Sequence, residues 1–272
     1  MSAKQSSEEK ITHLEGVYPA RKKDGTLYFR SSFTYRRKHI SLGSYSTEKK
    51  ANAAYREALR LSEKDSVTLD DYRQSSPLSY EKWVSIINFR DNNIYFGHPI
   101  YIKQRYFEYH FSPALILKFD HEDLFYYSSH KIMKRGGHYF VADYGMQVNI
   151  FSRYGIKNYA VAGEDYKFIN NDPTDFRREN LEIWNKYQGV KVAYKNGFYS
   201  YVTRIHVNGN IIVGKYKTEN EAAIAYNKAI DILMSKGLNK NYTENYVDIS
   251  PREYAEIYTS LDVSDKIRNI KF

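Results

Sequence analysis

The 272-residue chain contains no cysteine. Disulfides, thiolate metal sites and cysteine nucleophiles are excluded together. Long apolar runs are also missing: the longest candidate, Pro113 to Phe119, is strand-length and falls short of the roughly 18 residues a membrane helix needs. The first residues, Met1 to Lys10, are polar and charged, so a secretory leader is not expected. Nor is there a P-loop, a dinucleotide fingerprint, a nucleophile elbow or a zinc-ligand spacing. These absences point to a soluble intracellular protein, expected in the cytoplasm.

What remains is basic and tyrosine-rich. The net charge is +9, and 28 tyrosines accompany 41 Lys and Arg. Cations interleaved with aromatics are the footprint expected of a phosphate-backbone binder. A hydrophobic fraction of 42% is enough for packed cores, and the length suits two or three small domains.

Two stretches are the same unit written twice. Gly16-Val17, an aromatic strand, Leu42-Gly43-Ser44-Tyr45 and Thr47-Glu48-Lys49-Lys50-Ala51 through Ala54-Tyr55 return as Gly189-Val190, a strand, Val213-Gly214-Lys215-Tyr216 and Thr218-Glu219-Asn220-Glu221-Ala222 through Ala225-Tyr226, at an offset of about 171 to 174 residues. A fixed period means a repeated structural unit. In the second copy Tyr201, Thr203, Ile205 and Val207 alternate with Val202, Arg204, His206 and Asn208, the period of a half-buried strand. Asn208-Gly209 predicts a type I′ turn. Thr218-x-x-Glu221 predicts a capping box opening an alanine-rich helix. Each unit is therefore expected to be a three-stranded antiparallel sheet with a helix on one face and the other face open. In the first copy Phe29, Ser31, Phe33 and Tyr35 should face the helix, and Tyr28, Arg30, Ser32, Thr34 and Arg36 should face outward. Its turn, Arg36-Arg37-Lys38-His39, offers a cationic tip to phosphate. Ser76-Pro77 and Ser250-Pro251 each predict a helix start with Ser at the cap and Pro in the first turn.

These markers make the unit resemble the integrase-type, Apetala or ethylene-response-factor-like DNA-binding domain over about Glu15–Leu61 and Tyr187–Ser235. The resemblance implies that the sheet enters the major groove and reads base edges. Carried over by position, the readers would be Ser32, Thr34 and Ser41 in the first copy and Lys191, Arg204, His206 and Ile212 in the second. Arg30, Arg36, Arg37, Lys38, Tyr194 and Lys195 complete the expected contact set. The first copy has small hydroxyl residues where the family often has Arg, which points to backbone affinity rather than readout.

Between the copies, Tyr166 to Trp184 is similar to the signature of the HNH (ββα-metal), homing-type endonucleases, densely so from Ile169 to Leu181; the wider resemblance covers roughly Leu115 to Trp184. The departures fall on the positions where that family holds its chemistry. Lys167 stands where a metal-binding Asp belongs, Phe168 where a general-base His belongs, and Asn149 where an upstream His belongs, leaving Asn180 as a lone amide ligand. Hydrolysis of this kind needs oxygen ligands for a divalent cation and a base for water, so no catalytic or metal-binding residue, and no cofactor, is expected. Two escapes stay open: a two-residue slip placing Asp165-Tyr166 at the site, or supply of a base by His121, His130 or His138. In either case the protein would be an active endonuclease using Mg²⁺ through displaced residues. Asp172, Asp175, Arg177 and Arg178 are expected to tie the loop to its helix, and Lys167, Arg177 and Arg178 either to approach phosphate or to serve in salt bridges.

The expected class is α+β, with two sheet-plus-helix modules flanking a degenerate HNH-like domain. The expected segments are 12–62 (first module), 63–95 (helical extension), 96–186 (HNH-like), 187–236 (second module) and 237–272 (C-terminal extension). The C-terminal segment leaves open a docking helix, a homodimer contact or a protein partner. The expected function is sequence-recognising binding of double-stranded DNA by a nonenzymatic regulator of transcription or of a mobile element, bacterial or phage-encoded and nucleoid-associated, with no membrane partner.

Overall fold

A computed structural model of the chain describes residues 14–272; the polar segment Met1–Lys10 and the first residues of 12–62 lie outside them. The architecture is α+β, built from small antiparallel sheets and short helices. The chain forms two compact units. One runs to Lys131 and takes in Thr174–Arg177; the other comprises Ile132–Pro173 and Arg178–Phe272. No helix among the described residues is long and apolar enough to cross a membrane.

The first unit opens with β1 (Val17–Arg21), β2 (Leu27–Tyr35) and β3 (Lys38–Tyr45), paired in that order, and α1 (Glu48–Glu63). α2 (Tyr80–Asn92) follows. Phe33, Ile40 and Leu42 of the sheet meet Ala54, Ala58 and Leu61 of α1 and Trp83, Ile86 and Ile87 of α2 in one core. The alanines let helix and sheet approach closely. A second sheet, β4 (Ile100–Ile102), β5 (Tyr106–Ser112) and β6 (Leu115–Asp120), precedes α3 (Leu124–Ser129). Phe119 is its centre, with Phe107, Tyr127 and Phe176 rings at 5.4, 4.5 and 5.4 Å.

The second unit begins with the meander β7 (Ile132–Arg135), β8 (His138–Asp143) and β9 (Met146–Asn149), then the hairpin β10 (Tyr166–Phe168) with β11 (Leu181–Ile183). The second module follows as β12 (Val190–Lys195), β13 (Phe198–His206), β14 (Asn210–Tyr216) and α4 (Glu219–Ser235). α5 (Pro251–Ser260) and α6 (Asp265–Asn269) close the chain. Val190, Ile205 and Val213 pack on Ala222, Ala225, Ala229, Ile230 and Leu233, joined by Val263 and Ile267. Each large aliphatic side chain so buried contributes about 2 kcal/mol.

The repeat markers are explained by contacts among themselves. Gly16 and Gly189 sit at φ +70° and +71°, and a Cβ there would lie 2.0 Å from the Tyr55 ring and 2.4 Å from the Tyr226 ring. The Gly of Gly-Val and the Tyr of Ala-Tyr are thus one packing unit. Gly214 likewise lies under Tyr216, whose Oη donates to the Asp262 carbonyl at 2.9 Å. Burial pushes that phenol up to about 12, so it remains a donor at neutral pH.

Several expectations are corrected. The Asn208-Gly209 link is not type I′: Gly209 is at φ +151° and Asn208 is not among the positive-φ residues, since three residues separate the paired ends His206 and Asn210. The two-residue turn of that kind occurs in the first module, where Arg36 and Arg37 take φ +45° and +66° between the paired Tyr35 and Lys38. Ser250 caps α5 with Pro251 in the first turn, but α2 starts three residues later than Ser76-Pro77 implies, capped by Ser79. The residues after the Asp172–Asp175 loop form a single 3-10 turn, Arg178–Asn180, and then β11; the loop is tied to a strand there. The C-terminal segment docks within its own unit: Ser264 donates from its N–H to Val213 O and from its Oγ to Ile212 O, covering the β14 edge.

Candidate nucleic-acid interface

Pairing sets which side chains share the open face of each module. In the second, Lys191 pairs with Val202 and Val202 with Lys215; Arg204 pairs with Ile212 and His206 with Asn210. In the first, Tyr18 pairs with Arg30 and Arg30 with Ser44; Ser32 pairs with Ser41 and Thr34 with His39. Both sheets slip register at the same place, between Ser31 and Ser32 and between Thr203 and Arg204. The extra residue, Leu42 or Val213, is buried in the core.

The second face carries Lys191, Arg204, His206, Ile212 and Lys215, all exposed. The Arg204 guanidinium and the Lys215 ammonium make no hydrogen bond or ion pair among the described residues, whereas Lys191 is ion-paired with Glu164. Lys195 is exposed at the β12 end. Tyr194 belongs elsewhere: it pairs with Tyr199, one step out of phase with Lys191 and Lys195. It therefore projects from the helix side, its ring 4.7 Å from that of Tyr199. Lys215, on the same open face, was not singled out by the sequence pattern.

The first face is poorer in charge. Arg30, Thr34 and Ser41 are exposed, but Ser32 is only 8% exposed and lies in a shallow depression with Tyr18, Arg30, His39 and Ser41. Arg37 and Lys38 are exposed at the tip. Arg36 is not available in the way expected. Its Nη1 donates to the carbonyls of Phe89 and Arg90, both at 3.0 Å, and to Asn93 Oδ1, and its guanidinium lies 4.9 Å from the Tyr35 ring centre. It caps the C-terminus of α2, where carbonyls lack intrahelical partners. That anchorage holds a strained turn that two arginines would otherwise avoid.

The middle positions are occupied by structural contacts. Lys167 forms a 2.8 Å ion pair with Glu182 and lies over the Trp184 ring. Phe168 is buried, 5.8 Å from the Tyr166 ring centre. Asn180 Oδ1 accepts the Asn170 N–H at 2.8 Å, and Asn149 Oδ1 accepts that of Phe151 at 3.0 Å. An ammonium, a phenyl ring and two engaged amides are not a donor set for a divalent cation. Arg177 binds the buried Asp175 carboxylate through Nε at 2.8 Å and Nη2 at 2.6 Å. Arg178 is exposed, over the Tyr154 ring.

The displaced candidates other than His138 are also engaged. Asp165 pairs with Lys157 at 2.9 Å. Burial opposes its charge, but the Val161 N–H and the Lys157 ammonium outweigh this and hold the carboxyl below its ordinary value. Burial raises the Tyr166 phenol, making it a weaker acid near neutrality. His121 Nε2 sits 3.0 and 2.9 Å from the carbonyls of Lys103 and Tyr106, and His130 Nδ1 3.0 Å from that of Tyr126; His138 is exposed. One further polar chain went unnoticed in the sequence: buried His110 links Tyr80 Oη at 2.9 Å to Glu108 at 3.1 Å. It borders a cavity lined by Asp65, Asp70, Asp91 and Glu108 against Arg90 and Lys103, a charge balance that repels phosphate.

Compared with protein-family models, with curated proteins and with solved structures, the chain matches none.

Proposed function

We propose that the protein binds double-stranded DNA through two unequal sheets and acts in the cytoplasm as a nonenzymatic regulator of transcription or of a mobile element. The second sheet reads base edges; the first supplies backbone affinity. The observation that carries this reading is the row Arg204, His206, Ile212 and Lys215 on an open sheet face whose helix lies wholly behind it. Arg presents a rigid fork that matches two acceptors of guanine, and an exposed apolar side chain such as Ile212 suits a thymine methyl. The resemblance to Apetala-type domains supports the same use of that face. Two modules on one chain raise effective concentration, so modest individual affinities combine into tight binding.

The middle segment, on its resemblance to HNH nucleases, is a frame inherited from a homing-type enzyme and no longer catalytic, because Lys167 and Phe168 can supply neither a metal ligand nor a base.

Titrating the full chain with labelled duplexes at rising salt tests the reading. The expected result is an affinity that falls steeply and linearly on a log–log plot and differs between duplex sequences. Flat salt dependence, or equal affinity for all duplexes, contradicts it. Incubating the bound duplex with Mg²⁺ or Mn²⁺ should leave both strands intact; clean metal-dependent nicking would overturn the nonenzymatic part.

A further inference from the structure

The loop 157–165 lies outside the repeated unit and forms no helix or named strand, yet it is tied down at several points. Lys157 Nζ donates to the carbonyls of Tyr187 and Val190, both at 3.2 Å, and pairs with Asp165, with both side chains nearly fully buried. Asp165 in turn accepts the Val161 N–H at 2.8 Å. Glu164 holds Lys191, and its carbonyl accepts from Asn185 Nδ2, whose Oδ1 accepts the Val192 N–H. The loop is thus fastened along the outer edge of β12.

At its apex Tyr159 is 98% exposed and sits at φ +62°. A bulky residue in the left-handed region is strained, and a fully exposed aromatic has nothing on its own chain to compensate. Strain of this kind tends to mark a contact made with something else. One concavity is lined by both this loop and the reading face: Asn158, Tyr159 and Val161 on one side, Lys191, Arg204 and His206 on the other.

We infer that this loop is a second DNA-contacting element of the second module, with the Tyr159 ring packed on the sugar or base edge of the duplex that the sheet occupies. The inference rests on the proposed DNA binding and deepens it. The Lys191–Glu164 pair cancels charge at the join, so the loop's contribution is apolar contact rather than phosphate neutralisation. It extends the recognised sequence beyond the base pairs beneath the sheet.

The test uses the full-length chain and a duplex selected by the wild type from a randomised library. Tyr159→Ala should weaken binding roughly tenfold, the scale of an aromatic–base contact, while the slope of affinity against salt stays the same, because a neutral ring releases no counterion. Tyr159→Phe should bind like the wild type. Tyr159→Gly should melt no lower than the wild type, since it relieves the positive φ, and still bind weakly. Arg204→Ala, measured alongside, should weaken binding and relax the base preference at the position it reads. Wild-type affinity in Tyr159→Ala together with loss in Arg204→Ala overturns the loop contact and leaves the sheet reading standing. Absence of duplex binding by the wild type overturns both.

Discussion

The two modules share a backbone to the position of a bulge but solve the same local problems differently. Thr218 and Glu221 form a reciprocal box at the start of α4; at the same place in α1 Lys50 replaces the glutamate, and only the Thr47 half remains. Buried Thr203 donates to the Ala222 carbonyl at 2.8 Å, whereas its counterpart Ser31 Oγ finds no partner among the described residues. The second module is locally consistent and presents arginine and lysine outward. The first depends on a neighbour: Arg36 spends its charge on the end of α2, and Ser32 sinks into the surface. The first module's turn is thus held by a neighbouring helix, whereas the second is held by its own capping box and the Thr203 bond.

The largest effect is expected at the paired glycines. Gly189→Ala drives a Cβ against the Arg204 carbonyl at 2.3 Å as well as the Tyr226 ring. Backbone cannot swing aside, so a loss of about 3 kcal/mol in urea denaturation is expected. At Gly16 the three nearest atoms all belong to the Tyr55 side chain, which is partly exposed, with no backbone atom among them, so Gly16→Ala should cost less; equal losses would break the asymmetry. Next comes Arg204→Ala, expected to cost about 2 kcal/mol of duplex affinity, against a change within about 0.5 kcal/mol for Ser32→Ala. If Ser32→Ala weakened binding as much, the two faces would be equivalent readers.

Arg36→Ala should lower the stability of the first unit by about 1 to 2 kcal/mol through lost carbonyl caps and leave the salt slope of binding unchanged. Arg37→Ala should do the reverse, sparing stability and flattening the slope by about 1. The smallest effect concerns pH. Asp165 has a carboxyl held below its ordinary value of 3.8. Its contribution is therefore fully present above that value and is lost as pH falls through the lowered one. Wild type should lose stability in that acid window more than Asp165→Asn does, measured by thermal melts across pH.

Much of the fold was legible because burial of one sheet face imposes strict alternation: Thr203, Ile205 and Val207 are inside and Arg204 and His206 outside, as their pattern demands. The capping residues Thr218 and Ser250 were legible for a similar local reason. Lys215 was not, because the bulge at Val213 breaks the alternation and moves Lys215 onto the face of Ile212. The turn types were exchanged between modules since Arg36 takes its backbone conformation from a contact with α2, dozens of residues away in the chain. Tyr194 was misplaced by one step of register at a strand end. Tyr159 and the Tyr80–His110–Glu108 chain lie in segments without periodicity, where only the folded chain brings the partners together.

The unequal division of labour is tested most directly by footprinting the full chain on the duplex it selects from a randomised library and reading the sequence information under each protected segment. Strong base preference is expected in the segment lost on Arg204→Ala and little in the remainder, whose protection depends on Arg30, Arg37 and Lys38 and fades with salt. Equal base preference in both segments would contradict it.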